Sequence, residues 1–109
     1  MSLYFLAPAE SASFGTKRFA KSEVARGTTL FLGLNCFEPG QSQRVHRHDD
    51  ADKFYLILSG RARMQVGAET RDATAGTLIW APRGTPHGVE HAYERTVMLV
   101  GMAPPPLFG

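Results

Sequence analysis

The chain has 109 residues, enough for one domain and too few for a second. Hydrophobic residues at 43% and charged residues at 20% exclude a disordered chain, and the single cysteine, Cys36, excludes an intramolecular disulfide framework and any multi-cysteine zinc site. The net charge of +2 comes from basic residues scattered among acids, and no apolar run approaches the roughly 18–20 residues of a membrane span, so neither nucleic acid nor membrane is an expected partner.

Eleven glycines and seven prolines imply frequent turns, and so many short strands in place of a few long helices. The opening Met1–Leu6 lacks the basic start and long apolar core of a secretory signal, which predicts a cytoplasmic protein. In chain order, Phe14–Phe19 reads as a short edge strand. Thr28–Phe37, apolar, β-branched and aromatic, reads as a strand stopped by Pro39-Gly40. Phe54–Leu58 is a compact apolar run closed by Ser59-Gly60, too short for a helix and suited to a buried strand. Arg61–Val66 alternates polar and apolar, and Gly67-Ala68 turns it into Glu69–Ala73. Thr77–Ala81, Gly88–Glu90 and Thr96–Met102 complete an all-β chain of about eight to ten strands, hence a sandwich or small barrel. The extended Pro104-Pro105-Pro106 is expected to lay Leu107 and Phe108 onto a surface of this chain or a neighbour.

All four histidines fall in two windows framed by glycine and proline. In the first, running from Gly40 to Gly60, His46 and His48 would project from one face of a strand about 7 Å apart at the backbone, close enough to converge on one ion. The second runs from Gly76 through Pro82 and Gly84 to His87, with His91 four residues on. A strand entering a proline-glycine turn delivers the third imidazole, and three imidazoles make an open metal site with positions left for water or substrate. A lone histidine or an isolated His-x-His is ordinarily structural. The joint pattern of the two windows is what points to metal.

These windows resemble the paired motifs of the cupin superfamily, G-x5-H-x-H-x3–4-E-x6-G and G-x5-P-x-G-x2-H-x3-N. Gly40, His46, His48 and Gly60 match the first (residues 40–60). Gly76, Pro82, Gly84 and His87 match the second (residues 76–91) as far as its histidine. The resemblance implies a single cupin domain over residues 1–109, a conical jelly-roll β-barrel with the histidines in its mouth. It also implies one divalent transition metal per chain (iron, zinc or nickel) on His46, His48 and His87.

Two positions depart from the pattern. The motif glutamate, ordinarily the fourth ligand, is Lys53, and the asparagine is His91. Asp52 could replace the glutamate only if its strand bulges, since one residue along a strand reverses the side chain. Losing the carboxylate favours metals that imidazole suits over manganese. A protonated Lys53 near the ion would be repelled. It must therefore swing out to pair with Asp50 or Asp52, lose its proton, or receive an anionic ligand together with the metal. Lys53, His91 and Tyr55 are the candidate catalytic residues, and Ile57, Met64 and Trp80 the candidate pocket lining. Core packing is the ordinary role for Tyr55, Ile57, Met64 and Trp80 taken singly.

The expected function is a metal-dependent, dioxygenase-like or isomerase-like enzyme acting on a small anionic or chelating substrate. The alternative is a non-catalytic small-molecule binding or sensing module. The apolar start Leu3–Leu6 and the Pro-Pro-Pro-Leu-Phe tail further suggest a homodimer that covers them.

Overall fold

A computed structural model describes residues 2–107. After one 3-10 turn at Pro8–Ser11, nine strands follow: β1 (Ala20–Arg26), β2 (Phe31–Phe37), β3 (Gln43–His46), β4 (Asp52–Ser59), β5 (Arg61–Val66), β6 (Glu69–Thr74), β7 (Leu78–Ala81), β8 (His87–Ala92) and β9 (Thr96–Ala103). They form two antiparallel sheets, ordered β1-β2-β9-β4-β7 and β3-β8-β5-β6. The all-β jelly roll is thus laid out as two sheets that do not close into one barrel among the described residues. No helix among the described residues is long and apolar enough to cross a membrane.

The inward residues of both sheets fill the space between them. Phe37, Tyr55, Ile57, Met98 and Val100 from one sheet meet Ala62, Met64, Val89 and Ala92 from the other. On the outer face of the five-stranded sheet, Leu34, Cys36 and Val97 are covered by Ala12 and Phe14. That cover is why Phe14–Phe19 is not a strand. Phe14 serves the outer face while Phe19 stacks on Phe37 at 4.8 Å between centroids, and the chain bends between them. β1 starts instead at Ala20, where the half-polar Ala-Lys-Ser-Glu-Val-Ala-Arg carries too few apolar residues to announce an edge strand.

The glycine closing the first motif has a structural reason. Gly60 alone joins β4 to β5 at φ +91°, and a Cβ there would collide with the Arg95 carbonyl and Thr96. At the other end of the fold, Arg26 Nη1 donates to the Pro106 carbonyl at 2.8 Å, so the proline segment lies across β1 of its own chain. Leu107 is exposed, and Phe108 lies outside the described residues. Leu3, Tyr4 and Phe5 are each about 85% exposed, the apolar surface on which the expected pairing of two copies rests.

Candidate metal centre

Strand pairing brings the two histidine windows together. His46, last residue of β3, lies opposite His87, first residue of β8, and their ring centroids are 4.4 Å apart. His48 follows β3 in a loop, not in a strand as expected, and its ring lies 5.0 Å from His46 and 5.5 Å from His87. The second motif holds that loop in place. Gly84, at φ +81° in the proline-glycine turn, donates its N–H to the His48 carbonyl at 2.7 Å. One nitrogen from each of the three rings lies within 4.8 Å of the other two.

The backbone also selects the tautomers. His46 Nδ1 donates to the Arg44 carbonyl and His87 Nδ1 to the Thr85 carbonyl, each at 2.9 Å. Those bonds make Nε2 the lone-pair nitrogen of both rings, the arrangement of a metal-ligating imidazole oriented by a carbonyl; His46 Nε2 has Lys53 Nζ as its partner at 3.5 Å. His87 Nε2 is buried with no hydrogen-bond partner in the protein, a deficit that a ligated ion would remove. Burial holds the pKa of all three histidines below the ordinary value, that of His87 at about 4, so the rings are neutral donors at pH 7. The residues fit a divalent transition metal.

Lys53 turns inward. It is 6% exposed, opposite Ala81 and Met102 on its neighbouring strands, and its Nζ lies 3.5 Å from His46 Nε2 and 4.8 Å from the Tyr55 ring centroid. Burial first, and Lys21 second, lower its pKa to about 8. It pairs with neither Asp50 nor Asp52. Asp52 is exposed and accepts the Arg83 N–H at 2.9 Å, so it does not replace the motif glutamate.

The remaining candidates lie at different depths. Tyr55 is fully buried, its ring 6.1 Å from that of His87, and it donates its hydroxyl to Gln43 Oε1 at 2.7 Å. Ile57 is in the core, while Met64 and Trp80 line a separate cavity of about 470 Å³ between β6 and β7, with Trp80 54% exposed. Their placement corrects the expected pocket lining. Tyr55 and Ile57 share the parity of Lys53 but lie deeper in the sandwich, and Trp80 has the opposite parity to inward Ile79 and Ala81 on β7.

His91 also leaves the site, because a bulge intervenes. Met64 pairs with Val89 and Arg63 with His91, skipping Glu90, so inward Val89 is followed by inward Ala92 and His91 faces Tyr93 at 4.6 Å.

Beside the histidines opens a cavity of about 520 Å³. Its apolar wall includes Phe31, Val100 and Met102, and its polar lining includes Lys21, Asn35, Gln43 and Lys53. Asn35 and Gln43 were not singled out from the sequence. An amide inside the apolar run Leu32–Phe37 was the available signal, since such a group needs a partner or a cavity.

The neutral state of the histidines predicts an acid limit for the metal-free protein. The unfolded chain binds protons at His87 from pH 6.5 downward, whereas the folded protein resists until about pH 4, so stability falls as pH drops through that window. The loss at pH 4 is expected to reach on the order of 3 kcal/mol from this residue. Urea unfolding in the presence of chelator at pH 7 and pH 4 measures it. A difference no smaller in His87→Gln than in wild type would refute the assignment.

A family model described as Cupin domain matches residues 33–102. An uncharacterized protein of Streptomyces coelicolor is 33% identical over 85 residues, covering 76% of this chain and 78% of its own. The crystal structure of TT1209 from Thermus thermophilus superposes with a TM-score of 0.89 at 31% identity, covering 95% of this chain and all of that one. KdgF from a Halomonas species, at 19% identity and a TM-score of 0.84 over 97% of each chain, is a likeness of fold alone.

Proposed function

The chain belongs to the cupin family, and from that premise we propose a metal-dependent, dioxygenase-like enzyme acting on a small anionic or chelating substrate. The observation that carries this reading is the convergence of three neutral imidazoles, one with a buried unpartnered Nε2, beside an inward lysine. His46, His48 and His87 would hold the ion. A divalent transition metal bound there supplies Lewis acidity and, in the case of iron, redox chemistry with dioxygen.

The chain's own residues supply the rest. Lys53 Nζ carries a proton and a positive charge to a substrate carboxylate or enolate oxygen at the centre. With a pKa near 8 it is poised to give that proton up or hold it near neutral pH. Tyr55 fixes Gln43 through its 2.7 Å hydrogen bond and leaves the Gln43 amide N–H groups free for the ligand. Phe31, Val100 and Met102 exclude water from the ligand's body.

A non-catalytic binding or sensing role is the second reading, and one observation favours it. Among the described residues the carboxylate lining the cavity, Glu23, is tied to Arg26 at 3.0 Å and so is a poor general base. The discriminating experiment is anaerobic ferrous loading followed by oxygen uptake with carboxylates, thiols and diketones. Substrate-dependent uptake, lost in His87→Ala, is the expected result. Tight binding of the same compounds without turnover under any metal would reject the enzymatic reading.

A further inference from the structure

The cations of this chain are unevenly paired. Arg26, Arg47, Arg61, Arg63, Arg71 and Arg95 each form an ion pair with an acid. Lys21, Arg44 and Lys53 appear in none of these pairs, and all three line the cavity beside the histidines. The acid among the lining residues, Glu23, is neutralised by Arg26. Among the described residues Lys17, Arg18 and Arg83 also lack an ion pair but lie outside the cavity, so half of the unpaired cations line it, Lys53 buried and Lys21 and Arg44 exposed, before any metal is counted.

That charge is not in one place. Lys53 is on β4 and Lys21 on β1, three strand steps apart in the order β1-β2-β9-β4 (about 14 Å across) and four residues apart in register (about 13 Å along the strands), because the row of Lys21 runs through Asn35 and Met98 to Ile57. Lys21 lies directly opposite Asn35 on β2, and both line the cavity. Asn35 is 5% exposed and takes part in none of the side-chain hydrogen bonds found among the described residues. A buried amide without a protein partner, facing a cavity beside an unpaired ammonium, is a ready donor pair for a carboxylate. Of the apolar wall, Phe31 and Met102 share the row of Lys53, and Val100 stands in the row between it and that of Asn35 and Lys21.

We propose that Lys21 and Asn35 form a second anion subsite at the β1 end of the cavity, so that the ligand of the histidine centre carries two anionic groups on an apolar body, as a dicarboxylate does. The inference rests on the reading of the centre as an anion-accepting site, and it adds the far end of the ligand. One carboxylate meets Lys53 and the histidine end, and the other meets Lys21 and Asn35. The apolar wall packs the carbon chain between them. Lys21 is exposed, so its share weakens with added salt, whereas that of buried Lys53 persists.

The test is calorimetric binding at low ionic strength, on the protein as purified and after chelation. The probes are malonate, succinate, glutarate and adipate, each compared with the monocarboxylate of equal carbon number. At least one dicarboxylate should bind tighter than its partner by about tenfold or more. Lys21→Ala should bring that ratio to within about twofold, and Lys53→Met should weaken both classes. Asn35→Asp, which replaces the donor amide with a negative charge, should disfavour the dicarboxylate further. Equal binding of the two classes by the wild-type protein, or a ratio unmoved in Lys21→Ala, overturns the second subsite and leaves the centre standing. Binding of neither class, with or without metal, overturns the anion-site reading and the second subsite with it.

Discussion

Purified without a metal-charged column, the protein is expected to carry close to one divalent transition metal ion per chain, and His46→Ala, His48→Ala and His87→Ala are each expected to lose most of it. Three imidazoles are the minimum of an open site, and removing one leaves a two-ligand chelate. The affinity loss should exceed the roughly 10–100-fold that changes to groups behind the ligands cause. His91→Ala is the internal control. Its ring faces Tyr93 beyond the bulge in β8, so metal content should stay at the wild-type level.

Elemental analysis reads the stoichiometry, and thermal unfolding in chelator reads the fold separately. His48→Ala should unfold close to wild type, because His48 sits in a half-exposed loop and the core is built from other residues. His87→Ala should be less stable, since its imidazole is fully buried. Wild-type metal content in all four variants would move the centre elsewhere.

How much of this centre was legible in the sequence depended on the kind of signal. Spacing carried it where backbone geometry is local. Gly84 and His87 are separated by a fixed turn, and the register of β3 against β8 then places His46 opposite His87. Strand alternation carried Lys53 to the interior, because Lys53, Tyr55 and Ile57 share one parity on β4 and all three are buried. The same rule failed at His91. A bulge inserts one residue into β8, and nothing in Gly-Val-Glu-His-Ala marks where parity changes.

β1 was missed for a different reason. Its inward face carries Lys21 and Glu23, which address a cavity and not a core, so the apolar alternation that identifies strands is absent. The hydrogen-bonding pattern that separates two sheets from one barrel is a long-range property, invisible to local periodicity.

Lys53→Glu is expected to raise metal affinity by at least about tenfold while lowering affinity for anionic ligands. The reasoning starts from position. Lys53 stands where the family motif has its glutamate, is buried, and holds its Nζ 3.5 Å from the His46 nitrogen that would face the ion. A carboxylate on the same strand position adds a hard oxygen ligand, so manganese should gain relative to zinc. It also changes the charge beside the centre by two units, from cation to anion. Opposite charges about 4 Å apart interact by roughly 4 kcal/mol at the effective dielectric of a partly buried site, so replacing attraction by repulsion should be plain in anion binding.

Lys53→Met separates the two effects. It removes the cation without supplying a ligand, and so should weaken anion binding without the gain for manganese. Metal titrations with manganese and zinc, paired with carboxylate binding to the metal-loaded variants, measure both quantities. If Lys53→Glu leaves metal and anion affinity unchanged, the side chain at this position does not reach the centre in solution. The attraction for an anionic substrate would then rest on the charge of the ion alone.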